Sequence, residues 1–180
     1  MSFINTPDTI NDAPKPSQES LRAVHSMLGS VPNMFRLISN SPQTLQGYLG
    51  LNGALSNGTL SPQTRESIAL AVAQLNSCNY CLAAHHFLGT NLAKLSESEI
   101  AANRRGSSND PQIAAAVAFA TQVVKKRGQV SPEDRLAVRQ AGFTDAQLLE
   151  IVGHVALNTL TNYVNEVFET QIDFPQVEAL

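Results

Sequence analysis

Two predicted helices and the break between them lie in the stretch Ser61–His86, SPQTRESIALAVAQLNSCNYCLAAHH. A serine before Pro62 is a typical helix start, because serine caps free amide groups and proline fits the first turn. Apolar residues then recur at helical spacing as far as Leu75, which predicts a buried helix. Asn76-Ser77 interrupts the pattern, and a second helix is predicted to begin near Cys78. This stretch indicates a helical fold.

The same signals recur along the rest of the chain. Capping residues, several followed by proline or an acidic side chain, predict further helix starts at Ser17, Ser41, Ser96, Asp110, Ser131 and Thr144. No segment shows the alternating pattern of a strand. The sequence therefore predicts an all-α fold of about seven or eight helices, in a single domain over residues 17–180. Residues 1–16 are expected to form an N-terminal arm that frays or drapes over a neighbouring subunit.

The composition indicates a soluble protein with no nucleic-acid partner. Of 180 residues, 43% are hydrophobic and 15% are charged, and the formal net charge is −3, so no basic field attracts nucleic acid. No apolar run approaches the roughly 18 residues that span a bilayer. The N-terminus also lacks a signal-peptide pattern, so we expect no membrane partner and a cytoplasmic location. The low charge content suggests a homo-oligomer, in which another copy covers part of the surface.

The two cysteines are three residues apart, at Cys78 and Cys81, with His85 one helical turn further on. A helix N-terminus offers free amide groups and the positive end of the helix dipole, both of which lower the pKa of a thiol. Cys81 and His85 share a helix face, so the imidazole can take the thiol proton or pair with the thiolate. Two sulfurs at this spacing can also close into a disulfide. The pattern predicts a redox dithiol that needs no bound cofactor.

Other interpretations of the cysteines stay open at this point. They can be buried structural residues, or zinc ligands with His85 and a fourth group, His86 or Glu66, in a non-enzymatic interaction protein. Covalent haem is excluded, because a histidine must follow the second cysteine and position 82 is leucine. A dithiol–disulfide oxidoreductase or a redox sensor is a further alternative. Glu66 taken alone is typical of an acidic residue near a helix N-terminus.

One motif joins the cysteines to the helix before them. Glu66 is followed after eleven residues by Cys78-Asn79-Tyr80-Cys81-Leu82-Ala83-Ala84-His85. Weaker matches flank this core, VPNMF at 31–35 and ALNTLTNY at 156–163. In these motifs, and over most of the chain from about Val31 to Phe174, the sequence resembles the AhpD-like alkylhydroperoxidases, in the peroxidase-related branch of the carboxymuconolactone decarboxylase superfamily. The resemblance implies an AhpD-like helical bundle that assembles into homo-oligomers.

The resemblance also implies a role for each residue. Cys81 matches the family's peroxidatic cysteine and Cys78 its resolving cysteine, while His85 and Glu66 match its proton relay. The implied activity is a thiol-dependent peroxidase: a hydroperoxide oxidises Cys81 to a sulfenic acid, Cys78 closes a disulfide, and an external thiol donor reduces it. Tyr80 stands where well-known members have a histidine, and as a hydrogen-bond donor it predicts a shorter relay and a slower reaction. The intact dithiol argues against the decarboxylase reaction.

The predicted C-terminal helix carries polar residues of its own. His154 lies on an apolar face, which is more typical of a hydrogen-bonded core histidine than of a catalyst. Asn158, Asn162 and Asn165 recur at helical spacing and form a polar stripe. The stripe is expected to serve helix contacts or a subunit interface, or to line the site, and we assign it no catalytic role from the sequence.

Overall fold

The computed structural model describes residues 2–177, and within them it contains nine α-helices and no strand. The prediction of an all-α bundle is confirmed. The helices are α1 Lys15–Leu28, α2 Asn33–Ile38, α3 Pro42–Ser56, α4 Pro62–Leu75, α5 Asn79–Asn91, α6 Glu97–Arg104, α7 Pro111–Lys125, α8 Pro132–Gln140 and α9 Asp145–Val167. Met1 and residues 178–180, which the predicted arm and domain include, lie outside the described residues.

Side-chain caps begin most of the helices, as the sequence predicts. In each case the capping oxygen accepts a backbone N–H from the first turn, and the residues are Ser41, Ser61, Ser96, Asp110, Ser131 and Thr144. Proline opens α3, α4, α7 and α8, where its missing N–H costs nothing. Because each cap typically contributes about 1 kcal/mol, local sequence alone goes far in setting these helix starts.

The start of α1 differs from the prediction. The helix begins at Lys15, with Pro14 in the N-cap position, so Ser17 is not the cap. Ser17 is buried instead, and its Oγ donates a hydrogen bond to the backbone carbonyl of Ser39 at 2.7 Å. Proline already holds φ near the helical value and can open a helix without a side-chain cap. The hydroxyl is therefore used for a tertiary contact between α1 and the end of α2.

The segment ahead of α1 is tied to its own chain. The backbone N–H of Phe3 donates to the carbonyl of Phe168 at 2.9 Å, just beyond α9. Nδ2 of Asn40, which follows α2, donates to the carbonyl of Asn5 at 2.7 Å. Hydrogen bonds therefore connect residues 2–14 to the ends of α2 and α9.

The helix α4 forms the centre of the bundle. Its residues 67–73 are all buried, and α5, α6, α7 and α9 surround it. Ile68 and Val72 belong to a core shared with α7 and α9, whereas Leu70 packs against the residues that precede and begin α6. Burying each of these aliphatic side chains stabilises the fold by about 2 kcal/mol. Glu66 directly precedes this buried run, so its carboxylate is held on a firmly packed helix.

The longest helix, α9, has two different faces. Its inner face packs against α3, α4, α5 and α7 and carries the buried asparagine stripe. Its outer face exposes apolar side chains at helical spacing, which are Leu149, Val152, Leu160, Tyr163 and Val167. Between residues 2 and 177, none of the helices combines the length and the apolar character that a membrane crossing requires.

Candidate active site

The two cysteines lie at the start of α5, after a tight turn from α4. Ser77 adopts a left-handed backbone conformation (φ 56°), which lets the chain pass from one helix into the next. Cys78 is the N-cap of α5, and its Sγ accepts the backbone N–H of Cys81 at 3.3 Å. Both thiols are free and buried, and their sulfurs are 2.7 Å apart. The dithiol predicted from the spacing is thus assembled at a helix N-terminus.

The two thiols differ in their acidity. The Cys78 thiol donates a hydrogen bond to Sγ of Cys81, and this bond, helped by the charge on His85 and the amide of Asn165, lowers the pKa of Cys81 to about 7 against the opposing effect of burial. The same hydrogen bond, together with burial, raises the pKa of Cys78 far above its usual range. Near neutral pH, Cys81 is therefore the thiol that ionises, to about one half at pH 7, and Cys78 keeps its proton.

Glu66 of α4 and His85 of α5 form a pair beside the dithiol. Oε2 of Glu66 lies 2.9 Å from Nδ1 of His85, and both side chains are about four-fifths buried, with 22% and 20% exposed. Burial opposes a charge on His85, but the carboxylate outweighs it and raises the pKa of the imidazole. Glu66 holds Nδ1, and a hydrogen bond between the imidazole and the side chain of Asn158 also raises the pKa of His85. The structure thus brings together all four residues that the sequence analysis named.

Tyr80 lies between the cysteines in the sequence but its hydroxyl bonds elsewhere. The hydroxyl donates to Oδ1 of Asp173 at 2.8 Å and accepts the backbone N–H of Met34 at 3.1 Å. Its ring packs edge-on against Phe174, with the centroids 5.7 Å apart. Burial raises the pKa of the Tyr80 phenol well above its usual value. The hydrogen bond expected from Tyr80 goes to Asp173, so this side chain anchors the C-terminal segment to α5.

The asparagine stripe of α9 faces the dithiol. All three side chains are buried. Nδ2 of Asn165 donates to Sγ of Cys81 at 3.2 Å, and Oδ1 of Asn162 accepts from Nδ2 of Asn76, in the turn between α4 and α5, at 2.8 Å. Helical spacing correctly places these residues on one face, but nothing local in the sequence indicates which helix that face contacts. Of the roles expected for the stripe, Asn165 has that of lining the site.

His154 is a buried histidine one turn before Asn158, whose Nδ2 donates to the backbone carbonyl of His154 at 2.8 Å. Burial and the nearby positive charge of Arg65 lower the pKa of His154 to about 4, so the ring is neutral. Its Nε2 has no hydrogen-bond partner in the described part of the chain. The side chain is therefore in the core, as expected, but without the ring hydrogen bond at Nε2 that a core histidine usually makes.

Tyr48 of α3 is a neighbour of the site that the sequence analysis missed. Burial raises the pKa of its phenol beyond the usual range, and the negative charges of Cys81 and Glu66 raise it further. Its ring contacts Phe35 edge-on, at a centroid distance of 5.7 Å. Helical spacing places Tyr48 among the apolar residues of its own helix, but no signal in the sequence indicates that this helix contacts the motif.

The groups named for a zinc site are engaged in other contacts. Nε2 of His86 lies 3.1 Å from a carboxylate oxygen of Glu97, at the start of α6, while Glu66 is bonded to His85. Over residues 2–177, no three histidine, cysteine, aspartate or glutamate side chains are grouped so as to hold a metal ion. The set of zinc ligands considered from the sequence is therefore not assembled in this part of the chain.

Known proteins are similar to this chain in sequence and in fold. Residues 42–126 match the model of the Carboxymuconolactone decarboxylase family. The structure also superimposes on an alkylhydroperoxidase AhpD core, a peroxidase-related protein from Ralstonia eutropha JMP134, with a TM-score of 0.84 and 26% identity over 96% of this chain and 92% of that chain. The chain contains a Carboxymuconolactone decarboxylase family domain, at residues 42–126, within an AhpD-like fold.

The AhpD-like fold recurs in more distant proteins. A peroxidase-related protein from Silicibacter sp. TM1040 superimposes with a TM-score of 0.81 at 23% identity, over 94% of this chain and 91% of that one. The debrominase Bmp8, in complex with 2,3,4-tribromopyrrole, does so with a TM-score of 0.79 at 19% identity, over 96% and 94%. At such identities the likeness shows the fold alone, and the fold evidently hosts more than one chemistry. No curated protein matches the sequence significantly.

Proposed function

We propose that this protein is a thiol-dependent peroxidase, which reduces hydroperoxides with the dithiol of Cys78 and Cys81. The observation that carries the proposal is the asymmetric thiol pair: a thiol with a pKa of about 7 accepts a hydrogen bond from a protonated thiol 2.7 Å away. A thiol peroxidase needs a thiolate that attacks, a second thiol that resolves the product, and an acid that protonates the leaving oxygen. His85, held by Glu66, supplies that acid.

The proposed cycle uses only groups at the site and two outside reactants. The Cys81 thiolate attacks the terminal oxygen of a hydroperoxide, the O–O bond breaks, and the departing oxygen takes a proton from His85 and leaves as an alcohol or as water. Cys81 is then a sulfenic acid. The sulfur of Cys78 attacks it, a disulfide forms, and water leaves. An external thiol donor restores the dithiol by two exchange steps and is itself oxidised to a disulfide, so that no bound cofactor is needed.

The second candidate is exchange with disulfides of other proteins, as an oxidoreductase or a redox sensor. Burial of the sulfurs weighs against it, because Cys78 is 0% exposed and Cys81 is 3% exposed. A protein disulfide must bring its sulfur into line with the attacking thiolate, which requires an exposed cysteine, whereas a peroxide is small enough to enter a narrow site. The burial of the dithiol therefore favours the peroxidase.

The direct test is single-turnover oxidation of the reduced protein by hydrogen peroxide and by cumene hydroperoxide. We expect a disulfide between Cys78 and Cys81, detected by mass spectrometry of the digested protein. Cys81→Ser should abolish peroxide consumption, while Cys78→Ser should stop at the sulfenic acid, which dimedone traps. Peroxide consumption that survives Cys81→Ser would contradict the mechanism. Faster turnover with insulin disulfides than with either peroxide would favour the second candidate.

We also propose that the protein works as a homo-oligomer in a reducing compartment, the cytoplasm. The apolar outer face of α9 supports the first part. The helix α9 is about 35 Å long and the adjoining α3 about 22 Å, so together they offer a face on the order of the 800 Å² that each partner buries in a stable interface. Light scattering should give a mass that is a multiple of the monomer. Tyr163→Glu, in that face, should lower the mass, and Leu136→Glu, at an exposed position of α8, should leave it unchanged. A monomeric wild-type protein would refute the proposal.

A further inference from the structure

Two side-chain amides of α9 have unused polar atoms next to the dithiol. Oδ1 of Asn162 accepts from Asn76, which sets the orientation of the amide and leaves its Nδ2 as the free end. Within residues 2–177, Oδ1 of Asn165 has no hydrogen-bond partner and Nδ2 of Asn162 has none other than the sulfur of Cys81, although both side chains are at least 97% buried. Buried amide atoms are rarely left unpaired, so such atoms call for a ligand or another explanation.

Both atoms lie near the attacking sulfur. Nδ2 of Asn165 donates to Sγ of Cys81 at 3.2 Å, so the unpaired Oδ1 belongs to an amide that already touches the thiolate. Asn162 lies about one turn earlier on the same face of α9, and its amide also donates towards Cys81, which helps to lower the pKa of the thiol. The region around Sγ of Cys81 thus offers one amide N–H donor directed at the sulfur and one carbonyl acceptor without a partner.

We infer that Asn162 and Asn165 are catalytic residues that bind the O–O–H group of a hydroperoxide, an assignment that rests on the proposed peroxidase function. The terminal O–H of the substrate donates to Oδ1 of Asn165. Nδ2 of Asn162 donates to the inner oxygen, which carries the alkyl group or, in hydrogen peroxide, a hydrogen. This pairing requires a free O–H on the substrate, so it selects hydroperoxides over dialkyl peroxides.

The amide donor lies where negative charge develops in the reaction. As the Cys81 thiolate forms its bond to the terminal oxygen, the electron pair of the O–O bond moves to the inner oxygen. Nδ2 of Asn162 stabilises that charge until the proton arrives from His85, and the hydroxyl group stays on sulfur as the sulfenic acid. A pre-positioned donor of this kind typically accelerates a reaction by about 100-fold to 1,000-fold.

The test compares an oxygen electrophile with one that has no oxygen. We would measure the rate of Cys81 oxidation by cumene hydroperoxide and the rate of its alkylation by methyl iodide. Both rates are divided by the fraction of thiolate, which is read from ultraviolet absorbance. For Asn162→Ala we expect the peroxide rate to fall about 100-fold with the methyl iodide rate unchanged. Asn103→Ala, which truncates a fully buried asparagine of α6 far from the motif in sequence, is the control and should change neither.

A second variant keeps the test decisive if Asn162→Ala does not fold. Asn76→Ala leaves Asn162 in place but removes the hydrogen bond that orients its amide, so the peroxide rate should again fall relative to the methyl iodide rate. Equal changes in the two rates, or no change in either, would overturn the inference while leaving the peroxidase in place. A wild-type protein that does not react with hydroperoxides would overturn the proposed function and this inference together.

Discussion

Replacing Cys78 by alanine should remove the strongest support of the Cys81 thiolate. The hydrogen bond from Cys78 is the largest of the influences that lower the pKa of Cys81 from its ordinary value of 9.0 to about 7. This difference corresponds to about 3 kcal/mol in favour of the thiolate. Because Cys81 is only 3% exposed, solvent screens little of it. We therefore expect the pKa of Cys81 to rise towards 9.0 in Cys78→Ala.

Alkylation of Cys81 by methyl iodide, followed across the pH range that brackets both values, measures this change. The rate should be half-maximal near pH 7 in the wild type and at a clearly higher pH in Cys78→Ala. At pH 7 the thiolate fraction would fall from about one half to between about one tenth and one hundredth, so the rate should drop by about 5-fold to 50-fold. Alkylation needs no resolving cysteine, so losing Cys78 does not itself block the measurement.

The matched control is Asn79→Ala, which changes the exposed residue between the two cysteines. It should leave the half-maximal pH of the rate where it is in the wild type. An unchanged half-maximal pH in Cys78→Ala would refute the reasoning, because it would mean that His85 and the amides of α9 hold the thiolate without help. Cys78 would then not be the hydrogen-bond donor that stabilises the Cys81 thiolate.

Two further substitutions separate the proton relay from the structural contacts. Glu66→Gln should lower the pKa of His85 and slow peroxide reduction at neutral pH by about 100-fold in a stopped-flow assay, which is the lower end of the range for general acid–base catalysis. The control is Glu97→Gln, which changes the matching contact to His86 and should leave the rate unchanged in the same assay. Tyr80→Phe should lower the free energy of unfolding in urea by about 1–3 kcal/mol, because it leaves the backbone N–H of the buried Met34 unpaired. Its peroxide rate should match the wild type, and a large loss of rate would place the hydroxyl in the relay.

How far the sequence predicts the structure depends on the range of the interaction. Helix starts such as Ser61 and Thr144 are predictable, because a cap acts over three residues. Ser17 has the same chemical character, but its hydroxyl is used by Ser39, 22 residues away, and no local rule describes that contact. The all-α fold follows from many short-range signals together, so one misplaced helix start does not affect it.

The same distinction applies within the candidate site. Cys78, Cys81 and His85 lie on one helix, so their spacing alone predicts that they meet. Glu66 lies on α4, and only the family resemblance pointed to its partnership with His85. The amide of Asn165 contacts a sulfur 84 residues earlier in the chain, and Tyr80 bonds to a carboxylate 93 residues later. Such pairings depend on how complete helices pack, which helical periodicity does not contain.

One short turn connects these separate parts of the site. Residues 76–78 join α4 to α5, and each has a different role there. Asn76 orients the amide of Asn162, Ser77 takes the left-handed conformation that lets α5 begin, and Cys78 caps α5 while donating to Cys81. Because three neighbouring residues set the thiolate, its partner thiol and the amide donor, a change in the backbone of this turn should disturb all three at once. The chemistry of the dithiol therefore depends on the break between two helices as much as on the cysteines themselves.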